Sequence, residues 1–175
     1  MLKYAIFDYL PQRKCRRASF DQMEVNRRIL DFKDGRRYVT AWAVEVFSMT
    51  LSALDLRDTV IAFVPASSHY SHVRRFRRFS EMLCSRCCAV NGFEHVDVCG
   101  HRKRAHVTHE YELRSRIADY VHIDGAFFQG RNVLVIDDIC TTGQSAKAFI
   151  SALQEAGAHV RMALFLAKTR QSFKF

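Results

Sequence analysis

Proline and glycine are scarce in this 175-residue chain, two and seven respectively, and they are not gathered into a linker rich in Pro, Gly and Ser. No internal repeat or low-complexity tract is present either, which excludes repeat arrays and fibrous chains. No apolar run approaches the length of a membrane span, and no cleavable leader precedes the first polar residues, so no membrane partner is expected. The six cysteines (Cys15, Cys84, Cys87, Cys88, Cys99 and Cys140) are irregularly spaced, which argues against a secreted disulfide framework. The expectation is a cytoplasmic protein forming one domain over residues 1–175, its first ~30 residues serving as a hood or an extension.

What is present is enough apolar material, 49% of residues, to bury a core without metal or disulfide staples. The formal net charge of +9 suits anionic partners such as phosphorylated metabolites or nucleic acid. The same charge also occurs in domains that bind no polyanion, so composition alone does not choose between these.

Strand and helix patterns alternate along the chain. Lys3 to Phe7 read as a short strand and Arg13 to Arg17 as a basic loop. From Tyr38 to Leu51, Val39, Trp42, Ala43, Val46 and Phe47 recur at helical spacing and predict a core-facing helix. Thr59 to Val64 predict a buried strand closed by Pro65. A second helix is expected from His72 to about Val90, with Val73, Phe76, Phe79, Met82 and Leu83 as its apolar stripe and Asn91-Gly92 as its stop. Phe93 to Val98 predict a third strand. Residues 100–125 are polar, basic and rich in histidine, with a weak helical pattern from Tyr111 to Tyr120. A helix from Gln144 to Ala156, ended by Gly157, and a strand from Val160 to Leu166 close the chain. This alternation predicts a mostly parallel sheet with right-handed crossovers.

The most informative stretch is Asn132 to Ser145. Val133 to Ile136 read as a strand buried on both faces, as in a parallel sheet. Asp137 and Asp138 follow at its carboxyl end, where open α/β sheets bind ligands. The turn Thr141-Thr142-Gly143-Gln144-Ser145 then sits where N–H groups at a helix start can hold a phosphate. An Asp-Asp turn that merely caps the next helix is the alternative, since Asp and Thr are good caps. Two adjacent carboxylates repel one another unless a cation or a hydroxyl-rich ligand compensates, which favours a binding site.

This run resembles the phosphoribosyl pyrophosphate loop of the type I phosphoribosyltransferases: apolar residues, two acids, two variable positions, then Thr-Thr/Ala-Gly and a small polar residue. The resemblance implies that family's fold, a mostly parallel twisted sheet flanked by helices with a small variable hood. It implies that Asp137 and Asp138 face the ribose hydroxyls and support a hydrated Mg²⁺ network, with no direct metal ligand. Thr141, Thr142, Gly143, Gln144 and Ser145 would cradle the 5-phosphate. The implied reaction transfers the phosphoribosyl group from phosphoribosyl pyrophosphate to a nitrogen nucleophile and releases pyrophosphate.

The order of segments around the run resembles the ComF-type branch, the competence-associated, predicted amidophosphoribosyltransferases. Val64-Pro65 opening onto Ala66-Ser67-Ser68, then Arg74, Arg75 and Phe76, stand where that branch has Val-Pro-x-Pro and Arg-x-Arg-Gly-Phe-Asn. Gly125-Ala126-Phe127 before Gly130-Arg131 match its approach to the signature strand. The second proline and the Gly-Phe-Asn are absent, His122 replaces an asparagine, and no N-terminal zinc module is found. The resemblance implies Ala66, Ser67 and Ser68 as a pyrophosphate loop, with Ser as an ordinary helix cap the alternative. It likewise implies Arg102, Lys103 and Arg104, with His106, as a mobile loop over the substrate, against a solvated basic loop. Thr141 occupies the position where hypoxanthine-type members carry a catalytic Asp, and cannot act as a base near neutral pH.

A non-catalytic sensor of phosphoribosyl pyrophosphate, or a binding protein associated with DNA uptake, is the rival reading, with nucleic acid and a second copy of the chain as candidate partners. Cys84, Cys87 and Cys88, with Cys99 and His101, have some zinc-ligand character, but three of them fall on a helix face that suits small buried residues. Arg74, Arg75, Arg77 and Arg78 flank Phe76 and Phe79 and read either as an anion-facing stripe or as a solvated face.

Overall fold

The computed structural model describes residues 2–11, 19–99 and 117–170. Its elements are β1 (Leu2–Tyr9), α1 (Phe20–Lys33), α2 (Arg37–Leu51), β2 (Thr59–Phe63), α3 (His69–Cys87) and β3 (Val90–Asn91). They continue with β4 (Val96–Val98), β5 (Val121–Ile123), α4 (Gly125–Phe128), β6 (Asn132–Cys140), α5 (Gln144–Glu155) and β7 (His159–Thr169). Five strands form one sheet in the order β1-β7-β6-β2-β3, and every neighbouring pair is parallel. The expected fold class, a mostly parallel α/β sheet flanked by helices, is therefore found. Among the described residues no helix is long and apolar enough to cross a membrane.

Alternation along β6 divides the core in two. Leu134 and Ile136 point to one face and join α1, α2 and α3 through Ile29, Phe47 and Phe79. Val133 and Val135 point to the other and pack on α5 through Ala146, Phe149 and Leu153. The first face is aromatic. Phe79 lies edge-on to Phe32, Phe47 and Phe63 at centroid separations of 4.9, 5.3 and 5.9 Å. Such pairs contribute about 0.5–1.5 kcal/mol each beyond the area they bury.

Three segments differ from the sequence expectation. Helix α1 has no counterpart in it, because charged and polar residues interrupt its apolar ones and only Asn26, Ile29 and Phe32 are buried. Its start is nonetheless marked: the Gln22 N–H donates to Ser19 Oγ, and Asp21 lies in the first turn. Helix α3 begins earlier than expected and ends at Cys87, where Cys88 takes a left-handed conformation. Gly92 is therefore not its stop. A Cβ there would lie 2.7 Å from a Val60 methyl, so glycine serves close approach to β2.

The expected third strand, Phe93 to Val98, is split. Phe93 to His95 form a single 3₁₀ turn because Phe93 is drawn under the core, its ring stacked 5.0 Å from His72. Val96–Val98 then pairs antiparallel with β5, outside the main sheet. At the other end of the chain, β1 forms the sheet edge beside β7, with Trp42 stacked on Phe7 at 5.8 Å.

Candidate functional site

Strand β6 runs through both acids to Cys140, four residues beyond the apolar stretch that announces it. It lies parallel to β2, with Phe63 opposite Ile136, so both carboxyl ends open at the same edge. From β2 the chain passes through α3 to β3 on one side. From β6 it passes through α5 to β7 on the other. Strand order thus reverses between β2 and β6, and the crevice outside their carboxyl ends is where ligands bind in such sheets. Pro65 to Ser68 line one side of it, and Asp137 to Ser145 the other.

Asp137 and Asp138 are both buried. Strand alternation gives them opposite faces, Asp137 on the α5 face with Val133 and Val135, Asp138 on the face of α1 and α3. Asp138 has a cation of its own: Arg75 Nη1 from α3 stands 2.6 Å from its Oδ2. The contact is an ion pair rather than an aligned hydrogen bond. Arg75 is anchored from behind, its Nε donating to the Lys33 carbonyl at the end of α1 at 2.7 Å. The negative end of α1 favours a cation there.

Asp137 accepts the Asp138 N–H at 2.8 Å, and among the described residues no ion pair reaches it. Burial, then the neighbouring Asp138 charge, push its carboxyl well above the usual carboxylate range, and Arg75 offsets only part of this. A cation or hydroxyl donors arriving on the α5 face would relieve that cost.

The phosphate-type turn stands open beside Asp137. Thr141, Thr142 and Gln144 are exposed, and Gly143 and Ser145 half-buried. Gly143 precedes α5 with φ at +74°, a left-handed conformation that side chains other than glycine adopt at a cost, and its carbonyl receives the Lys147 N–H. The positive end of the helix α5 faces the same space.

Across the crevice, Ser67 is exposed and Ala66 buried. Ser68 is the N-cap of α3, its hydroxyl accepting the Ser71 N–H at 3.3 Å and donating to Ser71 Oγ. That hydroxyl does the helix-capping work that the sequence left as the alternative. The Ala66 N–H donates to His72 Nδ1 at 3.5 Å. His72 is a buried imidazole, and burial, with the nearby Arg75 charge, holds its pKa down at about 4.

Arg102, Lys103, Arg104, His106 and His101 lie outside the described residues, as does Cys15. Cys84 is buried, and burial pushes its thiol up to about 12. No group of three His, Cys, Asp or Glu among the described residues is arranged to hold a metal ion. Cys140, in the variable position of the turn, is half-buried, and burial and Asp137 raise its thiol pKa, which is the wrong direction for a nucleophile.

Sequence reasoning named Arg75 without tying it to the acid pair, and took His72 only as the start of a helix. It grouped Arg75 with an arginine stripe whose other members, Arg74, Arg77 and Arg78, are exposed. The available signal was helical spacing: Ser68, His72, Arg75, Phe76 and Phe79 share the inward face of α3 at steps of three and four.

Comparison with known proteins gives one matching stretch of sequence. A segment of 44 residues is 48% identical to an orotate phosphoribosyltransferase of Halobacterium salinarum, and it spans 25% of this chain and 25% of that protein. The chain is similar to a phosphoribosyltransferase. No family profile matches it. Among solved structures, adenine phosphoribosyltransferase from Saccharomyces cerevisiae, in complex with an imino-altritol bisphosphate and adenine, aligns over 76% of this chain and 70% of its own, at 19% identity and a TM-score of 0.47. A hypoxanthine phosphoribosyltransferase from Staphylococcus aureus aligns over 83% and 77%, at 16% identity and a TM-score of 0.37. A purine phosphoribosyltransferase from Pyrococcus horikoshii aligns over 96% and 97%, at 12% identity and a TM-score of 0.36.

Proposed function

We propose that the β2/β6 crevice binds phosphoribosyl pyrophosphate, or a related ribose 5-phosphate compound, and transfers the phosphoribosyl group to a nitrogen nucleophile with release of pyrophosphate. The observation that carries this reading is a buried Asp137, with no ion pair of its own among the described residues, beside a turn at the start of α5 whose Thr141 and Thr142 are exposed. An ionised carboxylate accepts two hydroxyl hydrogen bonds, as a ribose offers, and the turn offers N–H groups, hydroxyls and a helix's positive end to a dianion.

The donor set also fits Mg²⁺. Among the described residues only Asp138 of the two adjacent acids has an ion pair, with Arg75, and Asp137 and Asp138 would hold the ion through its water rather than directly. Bound there, Mg²⁺ would neutralise charge on the departing pyrophosphate. The chain's own part is positioning: the turn fixes the 5-phosphate, Asp137 fixes the sugar, and the Ala66–Ser68 backbone borders the pyrophosphate end. Arg102, Lys103 and Arg104 belong to this proposal as cations available to the bound pyrophosphate. Thr141 offers no base, which favours an acceptor whose nitrogen is already nucleophilic, such as ammonia or an anionic base. The ComF-like assignment rests on the order of segments and remains part of this proposal.

Incubation with phosphoribosyl pyrophosphate, Mg²⁺ and a panel of ammonia, amines and nucleobases tests the reaction. Release of pyrophosphate dependent on one acceptor is the expected outcome. Saturable binding with no pyrophosphate released by any acceptor would instead make the chain a sensor of the same ligand.

A further inference from the structure

The two acids of the turn are not equivalent in this fold, and the difference originates in α3. Asp138 and Arg75 are both withdrawn from solvent, their side chains 7% and 12% exposed, at 2.6 Å. Arg75 is fixed on its other side by the Lys33 carbonyl. It therefore bridges three elements, α3 that bears it, the end of α1, and β6 through Asp138. Its neighbours on α3 behave differently: Arg74 lies over the Tyr70 ring at the surface, and Arg77 reaches Glu94 there. Only the inward step of the helix brings a guanidinium to the acid pair.

We propose that Arg75 is a positioning residue of this site: it holds Asp138 on the helix-packed face of the sheet and leaves Asp137 as the carboxylate that meets the sugar hydroxyls. This rests on the sugar-phosphate reading above and deepens it by dividing the work of the pair. Asp138 sits on the face of Leu134 and Ile136, which α1, α2 and α3 cover, whereas Asp137 sits on the face that leads to the α5 turn. A ligand whose phosphate rests on Thr141–Ser145 comes to the Asp137 face. Bound to Arg75, Asp138 compensates a buried cation and anchors the strand end from which Asp137 projects. Without Arg75, Asp138 would be a buried carboxylate with no ion-pair partner among the described residues, next to a second buried acid, and it would take up a proton or move. Arg75 itself need not touch the ligand.

The test titrates ribose 5-phosphate and inorganic phosphate, separately, into the full-length chain and its Arg75 variants. Inorganic phosphate probes the turn alone, and ribose 5-phosphate probes the turn together with Asp137. Arg75→Met should weaken ribose 5-phosphate binding by roughly tenfold or more, the loss of one charge-supported set of hydrogen bonds, while changing phosphate affinity by less than about twofold. Arg75→Lys, which keeps the charge but not the planar fork, should recover part of the loss. If Arg75→Met does not fold, Arg75→Gln takes its place with the same expectation.

Ribose 5-phosphate affinity unchanged in the neutral variants would overturn the proposal. Equal weakening of both ligands, unrelieved by lysine, would overturn it too, because that pattern marks a general loss of structure. A wild-type chain that holds ribose 5-phosphate no more tightly than phosphate would instead overturn the sugar-phosphate reading itself, whatever the variants do.

Discussion

At the scale of single residues, the placement of Asp137 carries a cost that bears directly on the site. A buried carboxylate beside another carboxylate resists ionisation, and its pKa lies well above the ordinary value near 3.8. A group whose folded pKa is raised contributes its stability below the unfolded pKa, and loses it as pH rises through the folded one. In the ligand-free chain Asp137 therefore opposes folding increasingly toward neutral pH. Asp137→Asn removes that cost and keeps an oxygen to accept the Asp138 N–H. We expect the variant to unfold at a higher temperature than the wild type at pH 7, with the gap narrowing as pH falls toward 4. Thermal unfolding followed by circular dichroism at the two pH values checks this. A variant less stable than wild type at pH 7 would contradict the burial argument.

At the scale of elements, α3 organises the crevice. Its cap Ser68, its imidazole His72 and its guanidinium Arg75 succeed one another along one face and engage, in turn, its own first turn, the Ala66 N–H and Asp138. His72 ties this helix to pH. Its pKa is lowered from 6.5 to about 4, so between these values the unfolded chain binds a proton that the folded chain does not. Its contribution is intact above about 6.5 and is lost as pH falls toward 4. Urea unfolding midpoints should drop over that interval, and the drop should be shallower in His72→Phe. Equal slopes for both proteins would show that His72 does not carry the effect.

The elements also show what the sequence made legible. Strong periodicity found α2, β2, α5 and β7, since each of them buries an apolar stripe or run. Helix α1 buries only Asn26, Ile29 and Phe32 under a charged exterior, so its signal lay in the Ser19 cap rather than in hydrophobicity. Strand β3 is two residues long, and β5 and α4 three and four, too short for any period to register. Phe93 read as strand because it is aromatic and apolar, yet its ring belongs to the core cluster and bends the chain out of the sheet.

At the scale of the whole molecule, the sheet order makes the site. Opposite exits from β2 and β6 open a crevice between them, and the only two-acid step of β6 falls at its mouth. The acids and the turn were readable from sequence because one contiguous run encodes strand, carboxylates and helix start. The division between Asp137 and Asp138 was not, because it depends on Arg75, more than sixty positions earlier, and on which face α3 covers. Nor does the run encode the acceptor, which depends on surfaces outside it.

The central claim is that this crevice binds a phosphoribosyl compound through the acid pair and the α5 turn. Calorimetric titration of phosphoribosyl pyrophosphate with Mg²⁺ into the wild type and into Asp137→Asn/Asp138→Asn tests it most directly. One saturable site per chain in the wild type, with affinity lower by roughly a hundredfold or more in the double variant, is the predicted result. Equal affinity in the two proteins, or no binding by the wild type, would contradict the account.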